Sequence, residues 1–211
     1  MTEALIEVPR ARAGGRRLPI DKFNARRSEL SEAVLKTLGE LGYARTSLRE
    51  IAQKSEFTHG VFHYYFTDKI DLICCSVRQY KAKCVTRYDE VTATARTREQ
   101  LIDGFLDKLA ETLRQEADMH RLWYDLRAQA LFESAFREDV TAIDKSLEDM
   151  IWRVASRLSE LTGKPLTMSS PVLYAVMDGL FQKALLKFTD NQAEAIPELI
   201  AEVRRVLAVA T

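Results

Sequence analysis

Between Phe136 and Leu161 apolar residues recur in alternating steps of three and four: Phe136, Val140, Ile143, Leu147, Met150, Val154, Leu158 and Leu161. That spacing lines one face of an α-helix and no face of a strand. A helix over 135–161 is predicted, with Gly163 and Pro165 to end it. The same period recurs elsewhere. Leu30, Val34, Leu38 and Leu41 mark a helix over 21–41 that Gly42 stops. Thr97 and Gln100 form a T-x-x-Q capping box ahead of Leu101, Phe105, Leu109 and Leu113. A separate helix over 119–132 carries Leu122, Trp123, Leu126 and Ala130. Ser170 caps a helix with Pro171 in its first turn, reaching Phe188. Pro197 opens the last, with Leu199, Ile200, Val203, Val206 and Leu207. No stretch shows strand alternation or a hairpin turn, so the expectation is an all-α chain of about nine helices.

The chain has 211 residues, 46% of them hydrophobic, enough for a sizeable core in one or two domains. No apolar run reaches membrane-spanning length, and the first residues lack a signal-peptide pattern. Lys plus Arg (31) balances Asp plus Glu (31), so net charge favours no partner. The distribution says more: Arg10, Arg12, Arg16, Arg17, Lys22, Arg26 and Arg27 face Asp21 alone. Such an arm, over residues 1–20, fits phosphate or minor-groove tracking and equally a solvated flexible terminus. Cys74, Cys75 and Cys84 make no disulfide framework and fit a reducing cytoplasm, with thiols packed as small apolar groups. An enzyme is poorly supported. There is no Ser/His/Asp order, no glycine-rich phosphate loop and no acidic pair with metal spacing. His59 and His63 have the spacing of paired zinc ligands but no third ligand. No catalytic residue, cofactor or metal is expected.

One run stands apart: Gly42 to Ile73, GYARTSLREIAQKSEFTHGVFHYYFTDKIDLI. Ser47 and Glu50 form a capping box, so a helix starts at Leu48, with Ile51 and Ala52 facing inward. The pattern breaks at Ser55-Glu56-Phe57, and Thr58 caps a second helix from His59 to Phe66. Asp68 caps a longer helix, buried along Leu72, Ile73, Val77, Tyr80 and Cys84 and running to Thr92. Helix, short turn and capped helix is the layout of a helix-turn-helix, whose second helix enters the DNA major groove. A helix pair this short buries no core of its own, so its outward residues are candidates for a ligand surface.

The run resembles the DNA-binding domain of tetracycline-repressor-type (TetR) regulators. The resemblance rests on Gly42-Tyr43, Thr46-Ser47-Leu48-Arg49-Glu50-Ile51-Ala52, Thr58, Tyr64-Tyr65-Phe66 and Lys69, and covers the first third of the chain. It implies a head over 21–67 and a helical effector-binding and dimerisation body over 68–211. On the reading helix, His59, Val61 and His63 are placed for base edges, Val61 for a thymine methyl. Arg49 reaches a guanine edge or the backbone. Thr46, Ser47, Thr58, Tyr64, Tyr65 and Lys69 are candidates for phosphate. Phe57, Phe62 and Phe66 are core. Two residues depart from the family pattern: Glu56 stands where the turn usually has glycine, and His63 where tyrosine is common. A left-handed Glu56 would cost about 1–2 kcal/mol.

In the body, aromatic and Met residues gather on the later helices, and the resemblance implies an effector pocket among them. Its candidate residues are His120, Trp123, Tyr124, Arg127, Phe132, Trp152, Tyr174, Met177, Asp178 and Phe181. Asp125, Gln129 and Gln182 are further polar candidates. Aromatics beside Asp125 or Asp178 suit a cation, while Arg127 suits a carboxylate, and the residues leave that choice open. Ala175-Val176-Met177-Asp178-Gly179-Leu180-Phe181 and the Leu122-Trp123 region resemble the choline-responsive BetI-like branch. The family pairs its last two helices across a two-fold axis. The expectation is therefore a homodimeric cytoplasmic repressor that binds double-stranded DNA at a palindromic operator and is released by a small-molecule effector. The alternative is a constitutive or protein-partner-controlled regulator without a small ligand.

Overall fold

A computed structural model describes residues 20–211 and is all-α, with nine α-helices and no strand among those residues. The basic arm, apart from Lys22, Arg26 and Arg27, lies outside the described residues. The head is α1 (Ile20–Leu41), α2 (Leu48–Gln53) and α3 (His59–Tyr65). The body is α4 (Lys69–Cys84), α5 (Asp89–Thr94), α6 (Arg98–Gln129), α7 (Arg137–Thr162), α8 (Ser170–Thr189) and α9 (Ala195–Val209). A 3₁₀ turn, Ser134–Phe136, joins α6 to α7.

Three of the caps act where the sequence puts them. Ser47 Oγ accepts from Glu50 N–H at 3.2 Å and donates to the Glu50 carboxylate at 2.8 Å. Asp68 accepts from Asp71 N–H at 2.9 Å, and Thr97 from Gln100 N–H at 3.2 Å. Gly42, at φ 69°, and Gly163, at φ 67°, take the left-handed conformation that ends a helix cheaply only at glycine. Thr58 sits at the α3 N-cap in extended backbone, but its side chain makes no cap bond. The cap of α8 is Ser169 instead of Ser170, whose hydroxyl donates to Glu148 at 2.8 Å. Pro197 lies inside the first turn of α9, which starts at Ala195.

Two boundaries differ from expectation. The fourth helix stops at Val85 and resumes as α5, because the β-branched pair Val85-Thr86 weakly favours helix and the chain turns there. The two helices expected over 97–132 are one, kinked at Glu116 (φ −127°, ψ 22°). The Glu116 carboxylate is held by the Tyr80 hydroxyl and by Arg87 at 2.5 Å, so the polar stretch that reads as a gap is an anchored kink.

One core runs through head and body. Leu30, Val34 and Leu38 of α1, Ile51 of α2, Phe62 of α3 and Leu72 and Ile73 of α4 are fully buried. Gly39 lets α1 lie against α6. A Cβ there would stand 2.4 Å from Met119 Cε and 3.3 Å from the Asp118 backbone.

Candidate functional site

The head presents α3 to solvent. His59, Gly60, His63 and Tyr64 are exposed, and Gly60 has open space where a Cβ would be. The two imidazoles meet edge to face with Nε2 atoms 3.1 Å apart, so one ring presents a fixed polar edge beside the other. Arg49 on α2 is exposed on the same head. Thr58 is exposed and its side chain makes no cap bond. Ser47 is half-buried and engaged with Glu50. Tyr65 packs on Phe23 at 5.0 Å, and Val61 is half-buried against the core. Phe23, which also lies 6.1 Å from Tyr64, is a support that the motif gave no reason to notice. Glu56 is not left-handed, since Asn191 alone among described non-glycine residues has positive φ, so no strain is stored in the turn.

Two candidate phosphate contacts are engaged elsewhere. Thr46 is 3% exposed and its hydroxyl donates to Gly42 O at 2.6 Å, which makes it a corner brace. Lys69 places Nζ 4.0 Å over the Tyr43 ring and donates to the Tyr43 carbonyl at 3.4 Å. Both are corrections with one physical cause: each polar group lies beside a backbone carbonyl of the Gly42-Tyr43 corner and bonds it there. Phe57 and Phe62 stack edge-on at 6.2 Å inside the head, as core residues should.

The body holds an apolar cavity of about 80 Å³, partly open to the surface. His120, Trp123, Tyr124, Tyr174, Met177, Asp178 and Phe181 line it. Arg127 stands behind Asp178, bonding its carboxylate at 2.6 Å and approaching Asp144 at 3.5 Å. Phe132 does not belong. It is 86% exposed, because the α6 helix has ended and the chain turns outward there. Trp152 is half-buried on α7 and outside the lining, since its neighbour Ile151 faces the cavity. Asp125 serves the head instead, accepting Tyr43 N–H at 2.7 Å, with Gln129 beside it. Gln182 is exposed.

Sequence reasoning missed Lys81, Arg87, Tyr88 and Thr112 of the lining. Arg87 donates to Thr112 at 2.7 Å and pairs with Glu116. Lys81 is 2% exposed with no hydrogen-bond or ion-pair partner among the described residues. Burial lowers its pKa to about 8. Burial, and then the Lys81 and Arg87 charges, hold the His120 imidazole well below its usual range and therefore neutral. Burial and the nearby Asp178 carboxylate push the Tyr124 hydroxyl up. Burial likewise pushes the Cys74 thiol up to about 12, so it packs as an inert apolar group.

The lowered Lys81 pKa has a measurable consequence. Below about pH 8 both folded and unfolded chains carry the ammonium, and folding bears its full burial cost. Between about 8 and 10.5 the unfolded chain holds a proton the folded chain has released, so this contribution improves as pH rises. Lys81→Met should raise stability by about 1–3 kcal/mol at neutral pH. The gap from the parent protein should close as pH climbs past 10, read by paired thermal melts; a pH-independent gap would contradict this.

Among the described residues no group of three or more His, Cys, Asp and Glu is placed to hold a metal ion, and no helix is long and apolar enough to cross a membrane.

A capped two-helix reading unit on an all-helical body with an internal cavity defines a helix-turn-helix regulator of transcription. Residues 30–73 match the family described as bacterial regulatory proteins, tetR family. The helix-turn-helix head is thus similar to that of tetR-family transcriptional regulators. It is 26% identical over 167 residues to the HTH-type transcriptional regulator BetI of Stenotrophomonas maltophilia (strain R551-3), covering 76% of this chain and 82% of that one. Its fold is similar to that of a TetR transcription regulator from Haloarcula marismortui ATCC 43049, with TM-score 0.71, 18% identity, and 88% and 98% of the two chains covered. It is also similar to Bacillus subtilis FadR, solved in complex with stearoyl-CoA, with TM-score 0.65, 16% identity, and 86% and 96% covered.

Proposed function

We propose that this regulator is a homodimeric cytoplasmic repressor released from a palindromic operator by a small molecule held in the body cavity. The DNA-reading domain is 21–67, and 68–211 is the effector-binding and dimerisation domain. The observation that carries the reading is the double role of α4. Its packing against α1 ties it to the head, while its Lys81 and Cys84 line the cavity. The cavity is small beside the roughly 300–1,000 Å³ of drug-sized sites. A ligand of more than a few heavy atoms must therefore part α4 from α6, α7 and α8, and so displace the head. That meets the requirement that an effector bind one geometry more tightly than the other. FadR, a protein of similar fold, was solved with a small molecule, stearoyl-CoA, which supports a ligand-responsive reading.

A dimer through α8 and α9 is supported by Val172, Val176 and Leu186, exposed with Ala175 and Gly179 along one face of α8. Two reading heads about one helical turn apart match a palindrome and supply the affinity a single short α3 lacks. The test is fluorescence anisotropy with DNA flanking the regulator's own gene, at two salt concentrations, beside a scrambled duplex. Arg49→Ala and His63→Ala should each weaken operator binding by about 1–3 kcal/mol and leave the oligomeric state unchanged. Undiminished binding in both variants would remove α2 and α3 as the reading surface.

A further inference from the structure

Three polar groups at the cavity make no hydrogen bond or ion pair among the described residues. Lys81 lies on α4 with its ammonium 5.1 Å from the Trp123 ring and 5.4 Å from the Tyr80 ring. His120 Nε2 and Trp123 Nε1, both on α6, are buried with no hydrogen-bond partner. All three side chains line one cavity. Buried polar groups are ordinarily paired, and each one left alone costs of order 1–3 kcal/mol. Three on one wall mark a place where something else supplies the partner.

Their chemistry fixes what that is. An ammonium and an indole N–H only donate, and a neutral imidazole can donate from Nε2. The matching group is an acceptor with more than one lone pair. The other charges at the cavity are already balanced. Asp178 is engaged by Arg127 and by the Tyr124 hydroxyl at 2.9 Å, and Arg87 by Glu116. Lys81 alone among these cations has no carboxylate within ion-pair distance among the described residues, so it is the charge left for an anion to meet. A cation is disfavoured twice. It would meet Lys81, and the faces of Trp123 and Tyr124 already carry the Arg127 guanidinium at 5.8 and 5.7 Å. Beyond the polar wall the lining is Phe105, Leu109, Leu147, Met150, Ile151 and Phe181. Those groups suit a short hydrocarbon body.

Resting on the effector reading above, we infer that the ligand is a small monocarboxylate with an apolar tail, its carboxylate bound by Lys81, Trp123 and His120. The quaternary ammonium class suggested by the BetI-like sequence does not fit this chain's cavity. Lys81 supplies the charge, Trp123 Nε1 and His120 Nε2 set the carboxylate's orientation, and the narrow apolar space selects short chains or a single ring.

The test is calorimetric titration of the full-length protein with butyrate, hexanoate, octanoate and benzoate, each beside its amide, and with choline. Thermal melts and operator anisotropy run in parallel. At least one carboxylate should bind, its amide should bind about 10- to 100-fold more weakly, and choline should not bind. Lys81→Met should lose the same factor for the carboxylate while melting no lower than the parent. Trp123→Phe, which keeps the ring and removes the N–H, should weaken the carboxylate about 2- to 10-fold. Equal binding of acid and amide, undiminished binding by Lys81→Met, binding of choline, or binding of none of the four acids would each overturn the assignment. A carboxylate that binds without freeing the operator would sink the release mechanism and leave the ligand class standing. Release by choline would do the reverse.

Discussion

Phe62→Ala should cost the head about 3–5 kcal/mol and abolish operator binding while the body stays folded. Phe62 is fully buried in a unit of three helices, two of them short. Its ring meets Phe57 edge-on at 6.2 Å and Phe66 at 6.5 Å, so one side chain packs the reading helix against the α2–α3 turn and against the exit of α3. Neither α2 nor α3 is long enough to persist alone, since isolated helices below about 12–15 residues are marginal in water. Removing the ring leaves a cavity that two short helices cannot collapse around. Thermal unfolding followed by circular dichroism should gain an early transition, and anisotropy should show no specific complex. A single transition with operator affinity intact would refute the idea that α3 depends on this ring.

Phe136→Ala should lower the main melting transition by roughly 6–20 °C, the span of a 3–5 kcal/mol loss in a chain of this size. Phe136 is fully buried in the 3₁₀ turn between α6 and α7, and Tyr43 meets its ring edge-on at 5.2 Å. Tyr43 is in turn held by Asp125 through its N–H and by Lys69 over its ring. This joint ties the Gly42-Tyr43 corner of the head to α6 and α4 of the body. Under the proposed mechanism the variant also transmits effector binding poorly. A ligand that binds the parent should still bind, yet free the operator less completely at saturation. A melting point within a degree or two of the parent would show that Phe136 does not hold the joint.

Much of this was legible in the chain because it is local. A cap acts within one turn, so Ser47, Asp68 and Thr97 announce their helices from a spacing of three residues. The stripe from Phe136 to Leu161 is legible for the same reason: helical period puts those side chains on one face whatever covers them. Gly42 and Gly163 end helices because only glycine adopts positive φ without cost. The head follows from such signals in register.

The rest required the packed molecule. Lysine is among the residues least often buried, so no pattern placed Lys81 inside, and Arg87 was equally silent. Thr46 and Lys69 read as phosphate contacts until the fold put carbonyls beside them. Phe132 read as pocket and lies in solvent because where α6 ends decides which way the chain turns. The sequence by itself thus determined most of the helices, the glycine stops at Gly42 and Gly163 and the helix-turn-helix head, each set by forces acting over a few residues. Only the tertiary structure decided which polar groups face the cavity and which are already paired, because that depends on side chains of α4, α6, α7 and α8 meeting across long stretches of chain.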